Sequence, residues 1–136
     1  MRTIKIITLF IFIAGMNASC SAQSSKNDES PSAKKADDVQ VYYFHYARRC
    51  ASCRTVEKES KKAVEELYGD KVSFSNVNLD TPEGEQIGEA IGVSGQTLLI
   101  NKGNTKIEIT NEGFMYSRNN PEKLKQIIKE KIDPLL

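Results

Sequence analysis

Val39-Gln40-Val41-Tyr42-Tyr43-Phe44-His45-Tyr46-Ala47-Arg48-Arg49-Cys50-Ala51-Ser52-Cys53 joins two kinds of pattern. Residues 39–46 are mostly β-branched or aromatic, the composition of a buried strand. From residue 51 to 68 the apolar or small residues Cys53, Val56, Ser60, Ala63, Val64 and Leu67 recur at spacings of three and four, with charges between them. That is an amphipathic helix, stopped by Gly69-Asp70. A Cys-x-x-Cys pair therefore falls on a strand-to-helix turn. Cys50 meets the unpaired N–H groups and the positive dipole end of the helix, and Arg48 and Arg49 add fixed positive charge. Each effect favours thiolate and lowers the pKa below the free value of about 8.5. Cys53, one turn on, faces inward, placed to attack a mixed disulfide formed at Cys50. Cys50 is thus the expected nucleophile and Cys53 the resolving thiol.

Other chemistries compete for the pair. A static disulfide would close a very short loop, so its entropic gain is small. Zinc requires four ligands, and beyond residue 20 the chain has two Cys and one His. Cu(I) suits soft thiolates, so a metallochaperone using Cys50 and Cys53, with His45 or Met115 as third ligand, is the alternative binding reading. A non-catalytic interaction domain is the other.

Further along, residues 71–79 alternate as a second strand. Thr81-Pro82 pairs a cap with a first-turn proline, opening a helix to about residue 91. Residues 97–100 form a short apolar strand, 101–104 a hairpin turn, and 105–110 the returning strand, with Ile107 and Ile109 on one face. Pro121 opens a last helix carrying Leu124, Ile127, Ile128 and Ile132, ended before Pro134. The order β-α-β-α-β-β-α predicts an α/β domain with a mixed four-stranded sheet and helices on both faces.

The N-terminus has a different character. Arg2 and Lys5 precede an apolar run over residues 6–16, followed by Asn17-Ala18-Ser19-Cys20, the parts of a secretory signal. Eleven residues reach about 16 Å as a helix, half a bilayer, so a permanent membrane span is not expected. Cys20 sits where a bacterial lipoprotein signal places its lipid-modified cysteine; cleavage after Ala22 is the rival. Residues 1–20 are read as that signal and 21–38 as a linker: five Ser, one Pro, mixed charges and nothing apolar larger than Ala. Residues 39–136 form the domain.

Composition sets the remaining bounds. The 136 residues carry 19 Lys and Arg against 18 Asp and Glu, a balance of +1. Removing residues 1–19 takes away Arg2 and Lys5, leaving 17 against 18, a balance of −1. Neither figure suits a nucleic-acid surface. One His makes a Ser–His triad improbable, and three Cys are too few for a disulfide scaffold.

The chain resembles the thioredoxin family. The likeness rests on Tyr43-Phe44-His45-Tyr46-Ala47-Arg48-Arg49-Cys50-Ala51-Ser52-Cys53-Arg54, on Asn78-Leu79-Asp80, and on Gly92-Val93-Ser94-Gly95-Gln96-Thr97-Leu98-Leu99-Ile100. It covers nearly all of residues 39–136 and implies a thioredoxin-like fold with dithiol–disulfide exchange. It also implies that Tyr46 packs as the family's aromatic does there. The sequence departs from the family at four places. Arg49 replaces the Trp before the first cysteine, Ala-Ser replaces the Gly-Pro between the cysteines, Phe44 stands at the buried acid of the first strand, and Gln96 stands at the cis-proline. A cis bond before a non-proline costs about 3–4 kcal/mol, so Gln96 is expected to be trans.

The expectation is an exported thiol–disulfide oxidoreductase of a bacterial cell envelope, on the periplasmic side. It would be lipid-anchored and monomeric, and would exchange disulfides with protein thiols and a membrane redox partner without a cofactor. Cys50 and Cys53 are its catalytic candidates. Arg48, Arg49, His45, Gln96 and Tyr46 are candidates for tuning the thiolate or touching substrate. For His45, a core histidine bonded to a backbone group competes with a proton shuttle near the sulfurs. For Gln96, a polar turn residue competes with a hydrogen-bond partner for a thiolate or a substrate carbonyl.

Overall fold

The computed structural model describes residues 38–136; the predicted signal, Cys20 and all but the last residue of the predicted linker lie outside the described residues. Four strands, β1 (Gln40–His45), β2 (Ser73–Asn78), β3 (Thr97–Lys102) and β4 (Thr105–Glu108), form one sheet in the order β2-β1-β3-β4. β1 runs parallel to β2 and antiparallel to β3, and β4 returns antiparallel along β3. The helices are α1 (Ala51–Tyr68), α2 (Pro82–Ile91), α3 (Thr110–Tyr116) and α4 (Pro121–Ile132). The parallel β1–β2 pair requires the crossover that α1 supplies, while a tight turn at Gly103 suffices for β3–β4.

β1 is central and buried on both faces. Val39 just before it, and Val41 and Tyr43 within it, join Val56, Ala63 and Val64 of α1, Leu98 and Ile100 of β3, and Leu124, Ile128 and Ile132 of α4 in the larger core. Phe44, Val77 and Leu99 form a smaller core on the opposite face, under Ile87 and Ile91 of α2. Full burial of each such side chain stabilises by about 1.5–3 kcal/mol relative to exposure, so the β1–α1 unit is the best-anchored part of the domain.

One element departs from the expected order. The returning strand stops at Glu108 rather than 110, and α3 follows it. The Thr110 hydroxyl accepts the Leu98 N–H at 3.0 Å, replacing a ladder carbonyl, and the chain turns at Ile109. A Cβ on Gly113 would stand 3.1 Å from both Leu98 Cδ2 and Val56 Cγ1. Glycine there lets α3 settle onto the sheet beside α1. The element order is therefore β-α-β-α-β-β-α-α.

Candidate functional site

β1 ends at His45, and four residues lead to Cys50, which is the N-cap of α1 in extended conformation (φ −76°, ψ 170°). Its Sγ accepts the Cys53 N–H at 3.4 Å, the place a Ser or Asp oxygen takes in an ordinary cap. The cap puts Cys50 at the surface and Cys53 one turn inside, 8% exposed. The two sulfurs are free thiols 2.8 Å apart. A disulfide needs about 2.05 Å, so the two sulfurs lie within reach of each other for exchange.

The Cys50 thiol is held below the ordinary thiol range. The chief cause is the hydrogen bond from the Cys53 thiol, then the Cys53 backbone N–H; slight desolvation opposes them, and the N–H groups of Ser52 and of Cys50 itself add to them. The helix-start N–H groups are thus secondary to the Cys53 thiol, and neither Arg48 nor Arg49, expected to help, is among the causes. The arginines are arranged differently from each other. The Arg49 guanidinium pairs with Glu57, which also accepts from Asn76, while Arg48 is exposed.

Below Cys53 lies a closed set of hydrogen bonds. The Cys53 thiol faces Gln96 Oε1 at 3.7 Å, Gln96 Nε2 donates to the Tyr43 hydroxyl, and that hydroxyl donates to the Cys53 carbonyl at 3.0 Å. Tyr43 is fully buried, and its pKa is pushed up to about 12, first by desolvation, against the bond from Gln96. It stays a neutral donor at any physiological pH. Its part in the site was hidden in the sequence, where Tyr43 reads as one more strand aromatic. The only available signal was a hydroxyl on the face of β1 that α1 covers. Gln96 sits in the bend before β3 with its side chain beside the Cys53 sulfur, and no cis peptide occurs among the described residues.

His45 is 5% exposed, and its Nδ1 bonds the Tyr46 carbonyl at 2.8 Å, the backbone-bonded core reading. No three or more His, Cys, Asp or Glu side chains among the described residues come together to hold a metal, so His45 does not complete a ligand set with Cys50 and Cys53. Met115, the other proposed third ligand, is exposed on α3. Tyr46 is also exposed, its hydroxyl donating to the Ser94 carbonyl at 3.0 Å, which ties the turn before Cys50 to the loop before Gln96. Asp80 accepts the Ala47 N–H at 2.6 Å and braces the same turn from the loop after β2. α3, absent from the sequence reading, brings Arg118 to within 3.5 Å of the Ser52 hydroxyl.

No family model and no curated protein sequence matches the chain. Among solved structures, oxidised thioredoxin O2 of Arabidopsis thaliana is similar over 72% of this chain and 78% of its own, with 23% identity and a TM-score of 0.52. The Malassezia sympodialis thioredoxin Mala s 13 is similar over 69% and 75%, with 27% identity and a TM-score of 0.50. With this sheet order, and with two cysteines at the first strand–helix junction, the chain has the fold of the thioredoxin family.

Proposed function

We propose that the chain is an exported thiol–disulfide oxidoreductase that exchanges disulfides with a protein partner through Cys50 and Cys53. The observation that carries it is an exposed, acidified cap cysteine 2.8 Å from a buried second thiol. The Cys50 thiolate attacks one sulfur of a partner disulfide, forming a Cys50–partner bond and expelling the other partner sulfur as thiolate. Cys53 then attacks Cys50 Sγ, displaces the remaining partner sulfur and gives up its proton to it. The chain loses two electrons and the partner gains them; a dithiol recharges the chain by the reverse steps. In the mixed disulfide Cys50 Sγ is no longer an anionic acceptor, and Gln96 Oε1 remains to hold the Cys53 hydrogen inward.

The signal-like residues 1–20 support export and tethering at Cys20, on the side of a bacterial envelope where disulfides persist and a membrane redox partner can reach the domain. No helix among the described residues is long and apolar enough to cross a membrane. Two measurements test the reading. The reduced protein should reduce insulin disulfides while itself gaining one disulfide per turnover, and the full chain expressed in bacteria should incorporate labelled fatty acid, lost in Cys20→Ala. Failure of the first removes the enzyme reading; failure of the second removes the anchor alone.

A further inference from the structure

The described residues contain four arginines, three within four residues of Cys50 in the sequence and the fourth against Ser52. Arg48 and Arg49 precede Cys50, Arg54 lies one turn above it on α1 with its N–H on the Cys50 carbonyl at 3.2 Å, and Arg118 arrives from α3 against Ser52. The first lysine after residue 37 is Lys58, and several lysines are engaged elsewhere: Lys102 with the Leu135 carbonyl, Lys106 with the Ile91 carbonyl, Lys125 with Glu66 and Lys129 with Asp133. Arginine is the cation whose planar fork matches a carboxylate, whereas lysine is a point charge. The two are thus sorted by place in a chain whose overall balance is close to zero.

The carboxylates named at this rim do not cancel it. Glu57 neutralises Arg49, and Asp80 is turned to the Ala47 N–H. Arg48 and Arg54 are exposed and have no ion-pair partner among the described residues, and Arg118 touches only a hydroxyl. Three guanidinium groups with no carboxylate partner among the described residues are therefore carried by three segments next to Cys50: the turn before it, the first turns of α1 and the turn after α3. Phe114 on α3, four residues before Arg118, and Tyr46 in the turn before Cys50 are exposed aromatics. The rim thus offers aromatic surface for a peptide and cations for its flanks.

We infer that the disulfide on which Cys50 acts is flanked by carboxylates on an extended protein segment, with Arg48, Arg54 and Arg118 as its specificity determinants. This rests on the oxidoreductase reading. The guanidinium groups raise the encounter rate of the acidic segment and hold it while its sulfur is attacked. No new chemical step is added to the exchange.

The test uses the reduced full chain and three disulfide-linked peptide dimers, of Glu-Cys-Glu, Gly-Cys-Gly and Lys-Cys-Lys. Each rate constant is divided by that of 2-mercaptoethanol with the same peptide, which cancels differences between leaving thiols. The acidic dimer should exceed the basic one by at least about tenfold at low salt. The gap should close to within about twofold in 1 M salt, where the screening length is about 3 Å. Arg54→Gln combined with Arg118→Gln should lower the ratio of acidic to neutral rates, and Arg118→Glu should lower it further. Equal normalised rates, a preference for the basic dimer, or ratios unchanged in both variants would overturn the inference. Absence of reaction with the neutral dimer would instead remove the oxidoreductase reading beneath it.

Discussion

The two sulfurs are three residues apart and live in opposite surroundings. Around Cys50 are solvent, arginines and the N–H groups that start α1; beneath Cys53 are a buried tyrosine, an amide and the larger core. The upper surroundings admit a partner, while the Cys50 pKa is lowered first by the Cys53 thiol and then by the Cys53 N–H. The lower ones fix where the second sulfur sits and give its hydrogen an inward acceptor. One helical turn therefore divides the exchange into an entry step governed by charge and a closing step governed by hydrogen bonds.

The largest effect breaks that division outright. Cys50→Ser should cut the rate of disulfide reduction by at least about a thousandfold, because the nucleophile is gone. Cys53→Ser should leave the entry step running and accumulate a mixed disulfide, visible by non-reducing mass spectrometry. Equal loss in both variants, with no trapped species, would show that the sulfurs do not have separate roles.

A smaller effect is expected from the floor. Tyr43→Phe leaves the Cys53 carbonyl and Gln96 Nε2 without their partner, which should cost about 1–3 kcal/mol in chemical denaturation. Gln96→Ala removes the amide that links Tyr43 to the Cys53 thiol. Both should lengthen the life of the mixed disulfide in rapid-quench experiments and leave the entry rate nearly unchanged. A change in the entry rate alone would contradict the assignment of this network to Cys53.

These bonds also show where sequence reasoning reaches its limit. The β1–α1 junction was legible because a β-branched and aromatic run gives way to spacings of three and four within a few residues, and because Cys50 falls at that change. α3 was not legible. Residues 110–116 have no apolar stripe, and Gly113, a poor helix former, is there to let the helix approach Leu98 and Val56. The spacing of Ile109, Gly113 and Ser117, all buried, was the available hint. Missing α3 also meant missing Arg118. Arg49 was legible as a charge but not as one already paired with Glu57, since that carboxylate lies two turns into α1. Tyr43 and Gln96 are 53 residues apart, and only the pairing of β1 with β3 brings them together.

The smallest effect concerns stability against pH in the reduced protein. A thiol whose folded pKa is lowered binds fewer protons folded than unfolded between the two values, so stability rises with pH across that window. The contribution is complete above the ordinary thiol value of about 8.5 and is lost as pH falls through the lowered one. Denaturation of the reduced protein across this range should show that slope, and Cys50→Ser should flatten it.

The ionisation of Cys50 bears most directly on the whole account. Thiolate absorbance at 240 nm, recorded against pH in the reduced protein and in Cys50→Ser, isolates the titration of that one sulfur. A midpoint clearly below 8.5 that disappears with the serine is the predicted result. A midpoint at or above 8.5 would contradict the claim that the start of α1 and the neighbouring thiol hold residue 50 ready to attack.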